Sequence, residues 1–129
     1  MKVGVSSYSY SRLMGPGRLS MPDVVAKAKE MGFDSIEIAG LPLPDGQTVE
    51  STAALVREVC DRHGMSMMSY TIGADFLNGS GGDADAEVER LKGEVRVARL
   101  LGAPLMRHDA TSGFSAAHLG PRGFADALP

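Results

Sequence analysis

Apolar residues recur along the chain with two alternating periods. Short runs that are apolar at every second position, or continuously apolar, predict β-strands over residues 2–6, 34–38, 65–72 and 103–109. Three longer segments carry apolar residues at spacings of three and four, the period of a helix buried on one face. These helices are expected over residues 20–32, 48–64 and 83–101. The second helix is expected to bury Val49, Ala53, Val56 and Cys60. The third is expected to bury Val88, Leu91, Val95 and Ala98.

The ends of these helices carry residues that favour helix termination. Ser20 and Thr48 are good N-caps, and Gly32, Gly64 and Gly102 suit the left-handed conformation that ends a helix.

The segments between the predicted elements are expected to be loops. Residues 7–19 contain Gly15-Pro16-Gly17 and predict a long loop, and residues 73–82 predict a Gly-rich one. Gly79-Ser80-Gly81-Gly82 precedes the third helix, as a phosphate cradle does. Because Asp83 and Asp85 open that helix and would repel a phosphate, a mobile loop is the favoured interpretation.

The order βαβαβαβ without hairpins predicts an α/β fold with a parallel sheet and right-handed crossovers. The strands begin about 30 to 40 residues apart, near the roughly 31 residues per unit of a (β/α)₈ TIM barrel. An open doubly wound sheet is the alternative. Glu37 alternates with Ile36 and Ile38, whereas a strand covered on both faces would be continuously apolar, so half of a barrel is favoured.

Composition narrows the classes of partner. A net charge of −3, a pI near 5.5 and the absence of a basic stripe argue against nucleic acid. No apolar run reaches the roughly 18 residues of a membrane span. The first strand begins at Lys2 and leaves no room for a signal peptide, so we expect a cytoplasmic protein. Cys60 is the single cysteine and is expected in the core.

Residues at the carboxyl ends of the strands are the candidates for chemistry, because barrel enzymes place their sites there. His108 is the leading candidate, with a simple structural hydrogen bond as its alternative. Glu37 can bind a sugar hydroxyl or form an ion pair with Arg107. Arg107 itself suits a carboxylate or phosphate, with an ion pair to Asp109 that ties the loop to the barrel as its alternative. Tyr8 can stack on a sugar ring or pack the long loop.

Four segments carry a resemblance to a known family: K-V-G-V-S-S-Y-S-Y at residues 2–10, G-F-D-S-I-E-I at 32–38, L-M-R-H-D at 105–109 and F-A-D-A-L-P at 124–129. The chain resembles the amino-terminal half of a sugar phosphate isomerase/epimerase of the xylose isomerase-like TIM barrel family, which includes the type IV apurinic endonucleases. Met68-Ser69-Tyr70 stands where those endonucleases carry a ligand histidine, which argues against DNA repair.

The resemblance implies metal-assisted aldose-ketose isomerisation or epimerisation by proton transfer next to a carbonyl. The family's divalent metal (Mn, Mg, Co or Zn) is held by Glu, Asp, His and Glu of later strands, which this chain does not match. Glu37, His108, Tyr8 and Arg107 are therefore expected to bind a sugar or polyol substrate, and none is expected to be catalytic.

Residues 1–129 are thus expected to be one domain, an amino-terminal half-barrel that stops at the start of a fourth helix and is inactive alone. The alternative is a non-catalytic half-barrel binding or assembly module that acts as a homodimer. A flavodoxin-like domain that binds a phosphate-containing ligand is a third interpretation.

Overall fold

The computed structural model describes residues 1–15 and 17–114. Four strands and three α-helices alternate along this part of the chain: β1 (Gly4–Ser6), α1 (Met21–Glu30), β2 (Ser35–Ala39), α2 (Val49–His63), β3 (Ser66–Ile72), α3 (Ala84–Leu101) and β4 (Met106–His108). The predicted fourth helix at residues 124–129 lies outside the described residues. None of the helices in the described residues combines the length and the hydropathy of a membrane span.

The strands form one sheet in the order β1-β2-β3-β4. β1 and β2 are parallel, as are β2 and β3, and Tyr70 N–H donates to the Leu105 carbonyl at 2.9 Å, next to β4. Because right-handed crossovers that all advance in one direction place their helices on one face, α1 and α2 cover the same side of the sheet. A doubly wound sheet needs a reversal of strand order, and this sheet has none. The flavodoxin-like interpretation was therefore wrong, and the parallel half-barrel is confirmed.

The first two helices begin where their caps predict. Ser20 accepts from the Asp23 N–H while the Asp23 carboxylate accepts from the Ser20 N–H, and Thr48 and Ser51 form the equivalent capping box on α2. Such reciprocal bonds satisfy two backbone groups that a helix start leaves unpaired. Gly64 then ends α2 in the left-handed conformation, with φ of 59°.

The segment expected as a long loop after β1 instead starts with a 3₁₀ helix, Ser7–Leu13. The Ser6 hydroxyl caps it by accepting from the Tyr8 N–H, and the buried Ser7 hydroxyl accepts from the Ala39 N–H at 2.8 Å. These side-chain bonds to the backbone order a segment that carries no apolar periodicity.

The predicted core face of α3 is wrong at two of four positions. Leu91 and Ala98 are buried, but Val88 and Val95 are 39% and 56% exposed. Glu87, which was not predicted in the core, is buried instead of these two valines. Its burial is tolerated because its carboxylate is hydrogen-bonded, as described below. The predicted face of α2 is confirmed at Ala53, Val56 and Cys60.

The chain divides into two compact units. The first unit comprises Met1–Ile72 and Lys92–Arg107, and the second comprises Gly73–Leu91 and the described residues from His108 onward.

Candidate functional site

Glu37 lies in a row of polar side chains across three strands of the first unit. Ser6 pairs with Glu37 on β2, and Glu37 pairs with Ser69 on β3. Ile36 and Ile38, its neighbours on β2, are fully buried and face the opposite side of the sheet. The polar row therefore lies on the sheet face opposite α1 and α2.

A bulge in β3 creates this pairing. Ile36 pairs with Met67 and Glu37 pairs with Ser69, so Met68 is skipped in the register. An extra residue of this kind shifts every later side chain of its strand to the other face. Without it, a methionine would stand opposite Glu37.

Three hydroxyl groups and one cation stabilise the Glu37 carboxylate. Burial by itself would raise the pKa of Glu37, but hydrogen bonds from Ser6, Thr71 and Ser69, together with the positive charge of Arg107, outweigh it and lower the pKa below its ordinary value. The Thr71 hydroxyl donates to Oε2 at 2.8 Å and the Ser69 hydroxyl to the same oxygen at 3.0 Å. Glu37 is therefore a carboxylate at neutral pH.

Tyr8 and Arg107 belong to the same unit and are exposed. Tyr8 lies on the 3₁₀ helix after β1, with 73% of its surface accessible, so it does not pack the loop. Tyr10 packs there instead: it is buried, and its hydroxyl lies 3.4 Å from the Met31 sulfur. Arg107 is on β4, and its charge acts on Glu37 as described above.

His108 ends β4 and belongs to the second unit. Its Nδ1 atom lies 2.8 Å from the Asp109 carbonyl oxygen, and its ring meets Phe76 edge-on. The side chain is exposed, with one ring nitrogen engaged by the backbone. The structural alternative predicted such a bond to a neighbouring carbonyl, and the functional interpretation of His108 stays a prediction.

A network around Glu87 orders the Gly-rich loop of the second unit. Its carboxylate accepts from the Asp75 N–H at 3.0 Å, from the Ser80 hydroxyl at 2.8 Å, and from two nitrogens of Arg90 at 3.0 and 2.8 Å. The Arg90 bonds, followed by those of Asp75 and Ser80, lower the pKa of Glu87 to about 2. A carboxylate thus occupies the place next to Gly79 that a phosphate cradle would leave for an anion.

An open cleft lies in each unit among the described residues. The cleft of the second unit has a volume of about 380 Å³ and is lined by polar residues that include Ser80, Glu87, Arg90 and Asp109. The cleft of the first unit, about 530 Å³, is lined by Cys60, Met65 and Gly102 at the amino ends of β3 and β4. Barrel enzymes use the carboxyl ends, so the larger cleft is the poorer candidate. Burial raises the pKa of Cys60 to about 11, as expected for a core thiol.

Sequence reasoning missed Ser6, Ser69 and Thr71. A signal was present, because Ser69-Tyr70-Thr71-Ile72 alternates polar and apolar residues and so predicts a strand with one polar face.

No group of three or more His, Cys, Asp or Glu side chains that could hold a metal occurs in residues 1–15 and 17–114.

Comparison with known proteins gives the family. A family model described as xylose isomerase-like TIM barrel matches residues 25–127. Two solved structures are similar in fold: the probable 3-DHS dehydratase AsbF from Bacillus anthracis, involved in petrobactin synthesis (TM-score 0.65, 17% identity, covering 98% of this chain and 44% of that one), and a xylose isomerase domain protein from Planctomyces limnophilus (TM-score 0.55, 13% identity, 98% and 43%).

The chain spans less than half the length of either structure. No curated protein matches it. The family model covers most of the sequence, and the sheet has the strand order of half a barrel. The chain belongs to the xylose isomerase-like TIM barrel family.

Proposed function

We propose that this chain supplies substrate-binding residues of an isomerase or epimerase that acts on a sugar or a related polyol. The observation that carries the proposal is the Glu37 carboxylate on β2, which accepts hydrogen bonds from hydroxyl groups on the two neighbouring strands, β1 and β3. Carboxylate oxygens accept strong hydrogen bonds from hydroxyl groups, the commonest polar groups of a sugar. A carboxylate at the mouth of a barrel is well placed for this role.

The chemistry of Glu37 favours binding over proton transfer. An effective general base has a pKa near the working pH. The pKa of Glu37 is instead lowered, which makes its carboxylate a weaker proton acceptor. Glu37 therefore orients substrate hydroxyls, and Arg107 supplies a positive charge nearby for an anionic substituent such as a phosphate.

The proposed reaction begins with removal of a proton from the carbon next to a carbonyl. Return of a proton to the neighbouring carbon, or to the other face of the same carbon, gives isomerisation or epimerisation. Loss of a β-hydroxyl as water gives the dehydration that one structural neighbour is named for. All three outcomes share the first step, and the isomerase or epimerase outcome is the one proposed.

Members of the family often use divalent metals that polarise the carbonyl. The described residues of this chain do not provide a ligand set for such an ion. The proposed part of this chain is therefore to bind and orient the substrate, with Glu37, Tyr8 and Arg107 of the first unit in contact with it. The predicted role of His108, in the second unit, is a separate proposal. We propose that the 129 residues alone are inactive, because proton transfer and metal binding need residues of a complete barrel.

Hydrogen exchange with the solvent tests the proposal. The whole protein that contains this chain is incubated in D₂O with Mn²⁺, Mg²⁺, Co²⁺ or Zn²⁺ and a panel of aldoses, ketoses and their phosphates. We expect deuterium to enter the carbon next to the carbonyl of at least one sugar. The absence of exchange across the panel overturns the proposal, and exchange by the 129-residue chain alone overturns its inactivity.

The role of Glu37 is tested with matched variants. Glu37→Gln is expected to raise KM by about tenfold, because it weakens hydrogen bonds to a charged acceptor. Glu58→Gln makes the same change at an exposed position on α2 and is expected to leave KM unchanged. An equal change of KM in the two variants would contradict the assignment of Glu37 to the binding site.

A second candidate is a half-barrel assembly module that acts as a homodimer. Val95 on α3 and Leu105 before β4 are 56% and 66% exposed, as expected for residues that another surface covers. A second copy of the chain is the proposed partner for the surface around Val95 and Leu105. The chain spans 44% of the length of one structural neighbour, so two copies make up nearly the full length of that protein. Light scattering over a range of concentrations distinguishes a defined dimer from a monomer.

A further inference from the structure

Hydrogen bonds join the loop after β3 to the segment after β4 in the second unit. The Phe76 N–H donates to the Ala110 carbonyl at 3.0 Å. One residue earlier, the Asp75 carboxylate accepts from the Ser112 N–H at 3.1 Å and also from the Ser112 hydroxyl. These bonds hold the backbone of Phe76 against the residues that follow His108.

The Phe76 side chain continues this contact to His108. The two ring centroids are 6.1 Å apart and the ring planes meet at 72°. Aromatic rings favour such edge-to-face contacts at this separation. Because the backbone of Phe76 is tied to Ala110, its ring limits the rotation of the imidazole.

A second contact determines which nitrogen of His108 carries the proton. Nδ1 lies 2.8 Å from the Asp109 carbonyl oxygen. A carbonyl oxygen only accepts hydrogen bonds, so Nδ1 must be the donor. A neutral imidazole has one protonated nitrogen, and Nε2 is therefore left with its lone pair.

We propose that His108 binds its ligand through an unprotonated Nε2, which accepts a hydrogen bond from a substrate hydroxyl, and that Phe76 is the positioning residue that orients the ring. The nature of the ligand rests on the proposed function, whereas the tautomer and the role of Phe76 do not. His108 thereby acts as an acceptor, which matches a hydroxyl group of a ligand rather than an anionic group at this position.

Long-range ¹H–¹⁵N correlation spectra test the tautomer directly. They are recorded on the ¹⁵N-labelled whole protein at alkaline pH, where imidazole rings are neutral, and His108 is assigned by its loss in His108→Gln. We expect a protonated Nδ1 and an unprotonated Nε2, the reverse of the form that free histidine favours. A dominant Nε2–H form overturns the proposal.

Matched phenylalanine variants test the positioning role. Phe76→Leu removes the ring contact and is expected to shift the carbon-bound ring protons of His108 and to increase the Nε2–H form. Phe33→Leu, on the other unit, is expected to change neither. If Phe76→Leu does not fold, Ser112→Ala loosens the same loop and is expected to act in the same direction. Unchanged His108 signals in a folded variant overturn the role of Phe76.

Kinetics separate this inference from the proposed function. Phe76→Leu is expected to raise KM by roughly three- to tenfold with a smaller change in kcat, as for one weakened hydrogen bond. If His108 is the Nδ1–H tautomer but no sugar exchanges hydrogen, the result contradicts the proposed function and the sugar ligand. The proposed orientation of the His108 ring is then still supported. If a sugar exchanges hydrogen but His108 is the Nε2–H tautomer, the result contradicts only the inference about His108.

Discussion

Glu37 and Glu87 are both hydrogen-bonded carboxylates with lowered pKa values, but their surroundings differ. Glu87 is 2% exposed, and its partners include the guanidinium of Arg90 and a backbone N–H of the same unit. Its bonds connect a helix to a loop, which is a structural role. Glu37 is only partly buried and is held by hydroxyl groups, which leaves it suited to a ligand.

Removing one hydroxyl partner of Glu37 should raise its pKa. Thr71→Val keeps the shape of the side chain but removes a hydrogen bond that favours the charged form. Titration of the Glu37 carboxyl carbon by NMR measures the effect. Thr52→Val is the control, because the buried Thr52 hydroxyl on α2 has no hydrogen-bond partner among the residues that the structure describes. An equal shift in both variants would contradict the assignment.

The contribution of Glu87 to stability should depend on pH. Its pKa falls from an ordinary 4.5 to about 2 on folding, so the contribution is complete above pH 4.5 and is lost as the pH falls toward 2. Glu87→Gln should therefore lower the Tm at pH 7. The difference in Tm between the two proteins should shrink on acidification from pH 4.5 to pH 2, and a constant difference would refute the linkage.

At the scale of elements, local chemistry accounts for most of the helix ends. The side chains of Ser20 and Thr48 cap the starts of α1 and α2 as predicted. Gly64 ends α2 as predicted, because glycine adopts the left-handed conformation easily. The 3₁₀ helix after β1 escaped prediction because its order depends on a bond between Ser7 and the distant Ala39. The buried face of α3 was missed because an apolar pattern does not anticipate a buried, fully hydrogen-bonded Glu87.

Two glycines should respond in opposite directions to the same substitution. Gly64→Ala places a Cβ in the left-handed region at φ of 59° and should destabilise the protein by about 1–2 kcal/mol. Gly93→Ala lies within α3, where a Cβ meets nothing within 4 Å, and should stabilise it by about 0.5–1 kcal/mol. Urea unfolding measures both free energies, and a shared sign would contradict the argument.

At the scale of the whole molecule, the strand order defines the fold, and the exposed apolar residues bear on assembly. If two copies associate through α3, Val95→Asp should produce a monomer, because a charge in an apolar interface loses its hydration. Leu55→Asp makes the same kind of change at an exposed position on α2 and should leave the dimer intact. Sedimentation velocity measures the outcome, and dissociation of both variants would point to unfolding.

Local periodicity and short motifs were enough to predict the succession of strands and helices, their caps and the family. The sequence also indicated His108, which ends β4, and Glu37, which was predicted at the end of the second strand and lies in the middle of β2. The side chains that surround these two residues could not be predicted in this way, because they come from distant parts of the chain. The bulge at Met68 brings Ser69 opposite Glu37, and the bonds between Asp75 and Ser112 bring Phe76 to His108. Register and loop contacts depend on residues more than thirty positions apart, which local patterns do not encode.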